Sequence, residues 1–311
     1  MREISKIIDG IIRRIDPPDI RKVYKLHRRL VNFAVHSAAE INDGHFDRCL
    51  TSRRDGRRIP VRVYPPASIA PEGRIILFFH GGGWAVENID RYHKVCSQLA
   101  AVTRSYVISV EYRLAPEHKF PAGLTDCYEA AEQVFYEAKA RGIPPKNVIL
   151  AGDSAGGNLA ACVSLAAGRR KDFKVSRQML LYPVTACEYG ENSPYRSVHE
   201  KGRGYILTAE RMRGYLELYL KDIQQKNNPY VAPIKALSYE NYPQTLIITA
   251  ENDPLRDEGE AFGKRLYKFG CDVMAFRIKG AYHGFFGTDL QRNPSARKAV
   301  SMMTYFLELT D

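Results

Sequence analysis

Ile4, Ile7, Ile8, Ile11, Ile12 and Ile15 recur at alternating steps of three and four residues, which places them on one helical face with Lys6, Arg13 and Arg14 off it. Pro17-Pro18 ends that helix, and a second helical pattern runs from about Ile20 to Ala39. From His45 the period changes. An extended stretch through Thr51, an Asp55-Gly56 turn and the run Ile59 to Tyr64 predict an antiparallel pair at a sheet edge.

Short apolar runs rich in β-branched and aromatic residues follow at 75–79, 106–110, 148–151, 179–182, 245–249 and 273–276, and they read as buried strands. Helical patterns lie between or after them, near 91–102, 122–141, 155–168, 258–269 and 295–309. This alternation builds a mostly parallel sheet flanked by helices, so the fold class is α/β. The alternation breaks from about Ala186 to Tyr230, which is helical and polar. The expected organisation is therefore N-terminal cap helices at 1–45, a catalytic core at 46–185 and 231–311, and a second cap segment at 186–230.

The chain of 311 residues is 45% hydrophobic, enough for one large core. Its six cysteines, Cys49, Cys96, Cys127, Cys162, Cys187 and Cys271, form no Cys-x-x-Cys pair, so the expectation is reduced, mostly buried thiols and no metal site. The N-terminus shows no signal-peptide pattern and no stretch reaches the roughly 18 apolar residues of a membrane span, which predicts a cytoplasmic protein. A net charge of +11 admits acidic partners, but Arg53-Arg54 with Arg57-Arg58, and Arg169-Arg170-Lys171, lack interleaved aromatics. These clusters read as solvated surface, and no nucleic-acid partner is expected.

Candidate chemistry begins at Gly152-Asp153-Ser154-Ala155-Gly156, a Gly-x-Ser-x-Gly run between a strand and the apolar helix 158–167. A strand, sharp turn and helix push a serine hydroxyl out at the sheet's carboxyl edge, with the glycines leaving room for the turn. Taken alone, the pentapeptide serves equally well as a helix cap. His80-Gly81-Gly82-Gly83, after the strand 74–79, is more specific, arising by chance in on the order of one chain in 500. Its glycines let main-chain amides approach a developing oxyanion, and Gly82, Gly83 and Ala155 are the expected donors. The loop lacks a P-loop or dinucleotide-binding glycine pattern, and Gly83 is followed by Trp84 rather than a helix start. No cofactor is expected.

These two motifs, with Trp84, the run Glu111-Tyr112-Arg113-Leu114-Ala115-Pro116-Glu117-His118, Gly157-Asn158, Asp253-Pro254-Leu255-Arg256-Asp257-Glu258-Gly259 and His283-Gly284-Phe285, resemble the hormone-sensitive lipase family of esterases, which have the α/β-hydrolase fold. The resemblance runs from about residue 73 to 286. Glu111 stands where that family usually has Asp, a departure expected to affect packing rather than chemistry.

The α/β-hydrolase order of serine, acid and histidine leaves His199 and His283 as bases after Ser154, and His199 precedes every good acid. His283, in a glycine-flanked loop, is the expected base. Asp253 lies just past the strand ending near Ala250 and is nearer its end than Asp257; the resemblance places the triad carboxylate there too, leaving Asp257 and Glu258 structural. Asp253 would also serve as a helix cap before Pro254. His80, Gly81 and Trp84 are expected to support the glycine loop, and Asp272 and Asp289 fit neither loop nor order.

The implied activity is a serine carboxylesterase working through an acyl-enzyme, with the resemblance suggesting short- to medium-chain acyl esters. An amide or formamide hydrolase with the same residues and a non-catalytic small-molecule receptor on the same fold are the alternatives. The isoleucine helix has a second use as a membrane-surface element, although packing is the commoner role. The resemblance is also compatible with a homodimer formed through an exposed edge strand.

Overall fold

A computed structural model describes residues 18–36, 43–70 and 73–309, so the isoleucine helix of 4–15 lies outside the described residues. The second helical pattern forms α1 (Ile20–His36). The hairpin β1 (Phe46–Thr51) and β2 (Arg58–Tyr64) then leads into β3 (Ile75–Phe79), α2 (His93–Thr103), β4 (Tyr106–Val110) and α3 (Ala122–Ala140). β5 (Val148–Asp153) is followed at once by α4 (Ala155–Arg170) and then β6 (Arg177–Leu181). The irregular stretch carries α5 (Arg196–Lys201) and α6 (Ala209–Tyr219), and the chain closes with β7 (Gln244–Asn252), α7 (Arg256–Lys268), β8 (Val273–Tyr282) and α8 (Pro294–Glu308).

The eight strands form one sheet in the order β1-β2-β4-β3-β5-β6-β7-β8. β2 runs antiparallel to β1 and β4, and every other pair is parallel. Strand periodicity divides the core between the two faces. Leu77, Phe79, Leu150 and Leu180 point into the cluster shared with α3 and α4, while Ile76, Phe78, Ile149 and Met179 point into that shared with α2 and α8. The polar stretch after Ala186 nevertheless buries Tyr189, Val198, Met212, Tyr215 and Tyr219, because these side chains complete the first of those clusters.

α1 packs on α6: a Cβ at Gly214 would stand 2.8 Å from Cγ2 of Ile20, and Arg21 pairs with Glu210 at 3.0 Å and Glu217 at 2.9 Å. Arg28 ties α1 to the segments after β3 and after β4 by donating to the Ala85 and Ala115 carbonyls, both at 2.7 Å.

One basic cluster departs from the surface reading. Arg57 is a counter-ion of the buried carboxylates of Asp126 and Glu129, which α3 carries under the hairpin, and it shares Asp126 with Arg113. Arg53, Arg54, Arg58, Arg169, Arg170 and Lys171 are exposed as expected, although Arg53 and Arg54 lie over the rings of Tyr136 and Tyr128. All six cysteines carry free thiols, four of them buried. Among the described residues no helix is long and apolar enough to cross a membrane.

Candidate active site

β5 passes into α4 through one residue, Ser154, held at φ 54° and ψ −117°. A non-glycine residue in that region costs on the order of 1–3 kcal/mol, which the surrounding structure must offset. Three hydrogen bonds fix the turn: the Ser154 amide donates to the Leu181 carbonyl at 2.8 Å, and its carbonyl accepts from the amides of Asn158 at 3.0 Å and Val184 at 3.3 Å. The flanking glycines make the turn sterically available. A Cβ on Gly156 would overlap the Phe79 carbonyl oxygen and lie 2.6 Å from that of His80, and one on Gly152 would lie 2.8 Å from the Phe79 oxygen.

The Ser154 side chain caps no helix amide. Its Oγ lies 2.9 Å from Nε2 of His283, and Nδ1 of the same ring lies 2.7 Å from Oδ2 of Asp253. Asp253, fully buried after β7, also accepts the Leu255 amide through Oδ1 at 2.9 Å, so one carboxylate both shapes the turn into α7 and meets the histidine. His283 follows β8 directly, and its ring centre stands 4.8 Å from that of Tyr182.

Gly82 and Gly83 have φ of 103° and 59°, a backbone that brings the loop after β3 alongside the turn at Ser154. The amides of Gly82, Gly83 and Ala155 have no acceptor among the described residues. The Gly81 amide, by contrast, donates to Oδ1 of Asp153 at 2.8 Å. Oδ2 of Asp153 accepts hydroxyls from Tyr92 at 2.9 Å and Tyr182 at 3.3 Å. Burial pushes this carboxyl up to about 6, against the pull of those hydrogen bonds. Asp153 thus locks the glycine loop to the serine turn.

His80 is wholly buried, stacked on Tyr112 with ring centres 4.4 Å apart, and its Nδ1 lies 2.8 Å from the Gly81 carbonyl. Burial lowers its pKa to about 4, so the ring is neutral at ordinary pH. Trp84 is stacked on Tyr219 at 4.3 Å and its carbonyl holds the Ala115 amide at 2.8 Å. Glu111 uses its carboxylate to hold the Ile89 amide at 2.8 Å in the turn that follows the glycine loop.

The other acids and the other histidine go elsewhere. Asp257 anchors the Ser197 amide of α5 at 2.7 Å, and Glu258 accepts from the Thr185 amide at 2.7 Å and from Tyr189 at 3.1 Å. Asp272 bonds Gln244, Asp289 pairs with Lys94, and His199 meets the Ser193 carbonyl.

Ser154 and His283 line a cavity of about 370 Å³ together with Gly82, Gly83 and Val86 from the glycine loop, His27 from α1, and Ile206, Leu207, Arg211, Met212 and Tyr215 in and before α6. Sequence reasoning missed Asp153, Tyr182 and Tyr215. Asp153 stands in the quoted motif, but only its burial between two loops reveals a role.

A family profile described as an alpha/beta hydrolase fold matches residues 76–287. An arylesterase of Saccharolobus solfataricus is 34% identical over 246 residues, covering 79% of this chain and 77% of that protein. An ethyl acetate hydrolase of Pseudomonas putida is 33% identical over 242 residues, covering 77% of this chain and 74% of that protein. Among solved structures, a hyperthermophilic esterase from Pyrobaculum calidifontis superposes with a TM-score of 0.83 at 35% identity, over 98% of this chain and 97% of that one.

Proposed function

Because the chain belongs to the hormone-sensitive lipase family of α/β-hydrolase esterases and is a carboxylic ester hydrolase, we propose that it acts through an acyl-enzyme on Ser154. His283 Nε2 takes the Ser154 proton as Oγ attacks the ester carbonyl carbon. Asp253 holds the ring in the tautomer with Nδ1–H and stabilises the imidazolium that forms. The amides of Gly82, Gly83 and Ala155 donate to the oxygen that becomes negative, an interaction typically worth about 3–4 kcal/mol per donor removed. The protonated His283 then delivers its proton to the departing alkoxide. Water attacks the acyl-enzyme with His283 as base, and the free acid leaves.

One observation carries this reading: the unbroken chain of hydrogen bonds from Ser154 through His283 to Asp253, at 2.9 and 2.7 Å. It also weighs against a non-catalytic receptor, which needs no such relay. The 370 Å³ cavity and its Val86, Val184, Leu207 and Met212 walls support short- to medium-chain acyl groups. In the same reading residues 1–45 and 186–230 form the cap over a core of 46–185 and 231–311, and His80, Gly81 and Trp84 support the glycine loop. A homodimer through an edge strand belongs to it as well.

Hydrolysis of a p-nitrophenyl acyl series tests the proposal, with Ser154→Ala as control. Turnover lost by several orders of magnitude in a folded variant is the expected result. Near wild-type hydrolysis by Ser154→Ala would sink it, and a matched amide series separates ester from amide preference.

A further inference from the structure

The cavity beside Ser154 holds a positive charge that the proposed chemistry does not use. Its wall includes Glu87, Arg91, Arg211 and His27. Glu87 places Oε1 3.9 Å from Nε2 of His27 and Oε2 3.9 Å from Nε of Arg91, the nearer of the two guanidiniums to it. Arg211 has no carboxylate oxygen within 4.0 Å among the described residues. Glu210, beside it in sequence, is taken by Arg21 and Arg213, and Glu217 by Arg21. Burial lowers the His27 pKa and raises that of the Glu87 carboxyl, so the wall carries two guanidiniums against at most one carboxylate.

The place is an unfavourable one for a spare cation. Arg211 lies in the first turn of α6, its amide donating to the Thr208 hydroxyl at 3.1 Å, where the positive end of the helix dipole repels it. Its guanidinium carbon stands 5.9 Å from the ring centre of Tyr215. That ring packs on Gly83: a Cβ there would meet Cε1 of Tyr215 at 2.5 Å. One side chain therefore separates the cation from a donor of the proposed oxyanion hole.

We propose that Arg211 forms an anion-binding subsite of the catalytic cavity, and that the enzyme prefers esters bearing a carboxylate a few bonds from the scissile carbonyl over neutral esters of equal size. Hemiesters of short dicarboxylic acids are the simplest members of this class. A planar guanidinium pairs with such a carboxylate through two parallel hydrogen bonds, and partial burial protects the pair from screening. The net charge of +11 adds long-range attraction for the same substrates. The inference rests on the reading of Ser154 as nucleophile.

Two matched pairs test it after subtraction of the uncatalysed rate. The 4-nitrophenyl hemiester of glutaric acid against its methyl-capped form places the anion on the acyl side; 4-acetoxybenzoate against its methyl ester places it on the alcohol side. At low ionic strength kcat/KM favours the anion at least about tenfold, or ~1.4 kcal/mol, in one pair, which identifies the side. In Arg211→Gln that ratio collapses towards one, in Arg211→Lys it is largely restored, and in Arg203→Gln, an exposed position outside the cavity wall, it persists. Melting curves establish that each variant is folded. No anion preference in either pair, or an unchanged ratio in Arg211→Gln, overturns the subsite. Ester turnover surviving in Ser154→Ala would instead overturn the nucleophile, whatever the ratios.

Discussion

Asp153 joins the residue before the serine to the glycine loop, its Oδ1 accepting the Gly81 amide across 2.8 Å while Oδ2 takes the hydroxyls of Tyr92 and Tyr182. Because Gly81 is consumed in this way, the loop's orientation is set and the amides of Gly82 and Gly83, the proposed oxyanion donors, are left without an acceptor among the described residues. Asp153→Asn puts an amide where one of these acceptors stood, with a local cost on the order of 1–3 kcal/mol. Its kcat for p-nitrophenyl butyrate should fall at least about tenfold with KM changed far less, since a misplaced oxyanion donor is felt in the transition state. A rise in KM with kcat unchanged would show that the loop is placed by something else.

Asp253 has two duties, and Asn can perform only one of them. The Leu255 amide still finds an oxygen in Asp253→Asn, so the turn into α7 survives. The tautomer of His283 does not, because an amide nitrogen can face Nδ1 as a donor. A fall in kcat on the order of 10²–10⁴ with a melting temperature within a few degrees of wild type is expected. Unfolding of the variant would instead assign Asp253 mainly to structure.

Gly156 admits no side chain, since a Cβ overlaps the Phe79 carbonyl in the centre of the sheet. Backbone of a central strand and of the helix packed against it cannot move aside cheaply. Gly156→Ala should lose more than about 3 kcal/mol, read as a shifted denaturant midpoint or as insoluble expression. The same substitution at exposed Gly190, where nothing stands within 4 Å, should be nearly silent.

Glu258 gives stability a particular pH dependence. Burial raises its carboxyl to about 8, against the pull of the Thr185 and Ala186 amides. Below about pH 4.5 folded and unfolded chains both keep the proton, and between that point and pH 8 only the folded chain does. The folded state is therefore progressively destabilised as pH rises through this window. Glu258→Gln removes the titration, so the melting-temperature difference between variant and wild type should move in the variant's favour from pH 5 to 8. A difference that stays constant across the window would mean that Glu258 is ionised in the fold.

Much was legible in the sequence because much of it is local. Alternating apolar runs specify strands and the 3.6-residue period specifies helices, so the hairpin at 46–64 and the parallel strands lie where the pattern put them. The glycines at 81–83, 152 and 156 were equally readable, since only glycine suits those backbone positions. The order of Ser154, Asp253 and His283 narrowed the candidates further, though it gave no distances.

What only the tertiary structure decided depends on neighbours remote in the chain. Ser154 and His283 meet across 129 positions. Asp153 was one letter in a motif until burial set it between Gly81 and two tyrosines. Arg57 looked like solvated surface until two carboxylates of α3 were found beneath it, and Arg211 looked like any basic residue of a polar segment until α6 turned it into the cavity. The physical reason is common to all four. A side chain's charge, proton affinity and hydrogen bonds are fixed by desolvation and by the groups that close around it, and chain spacing records neither.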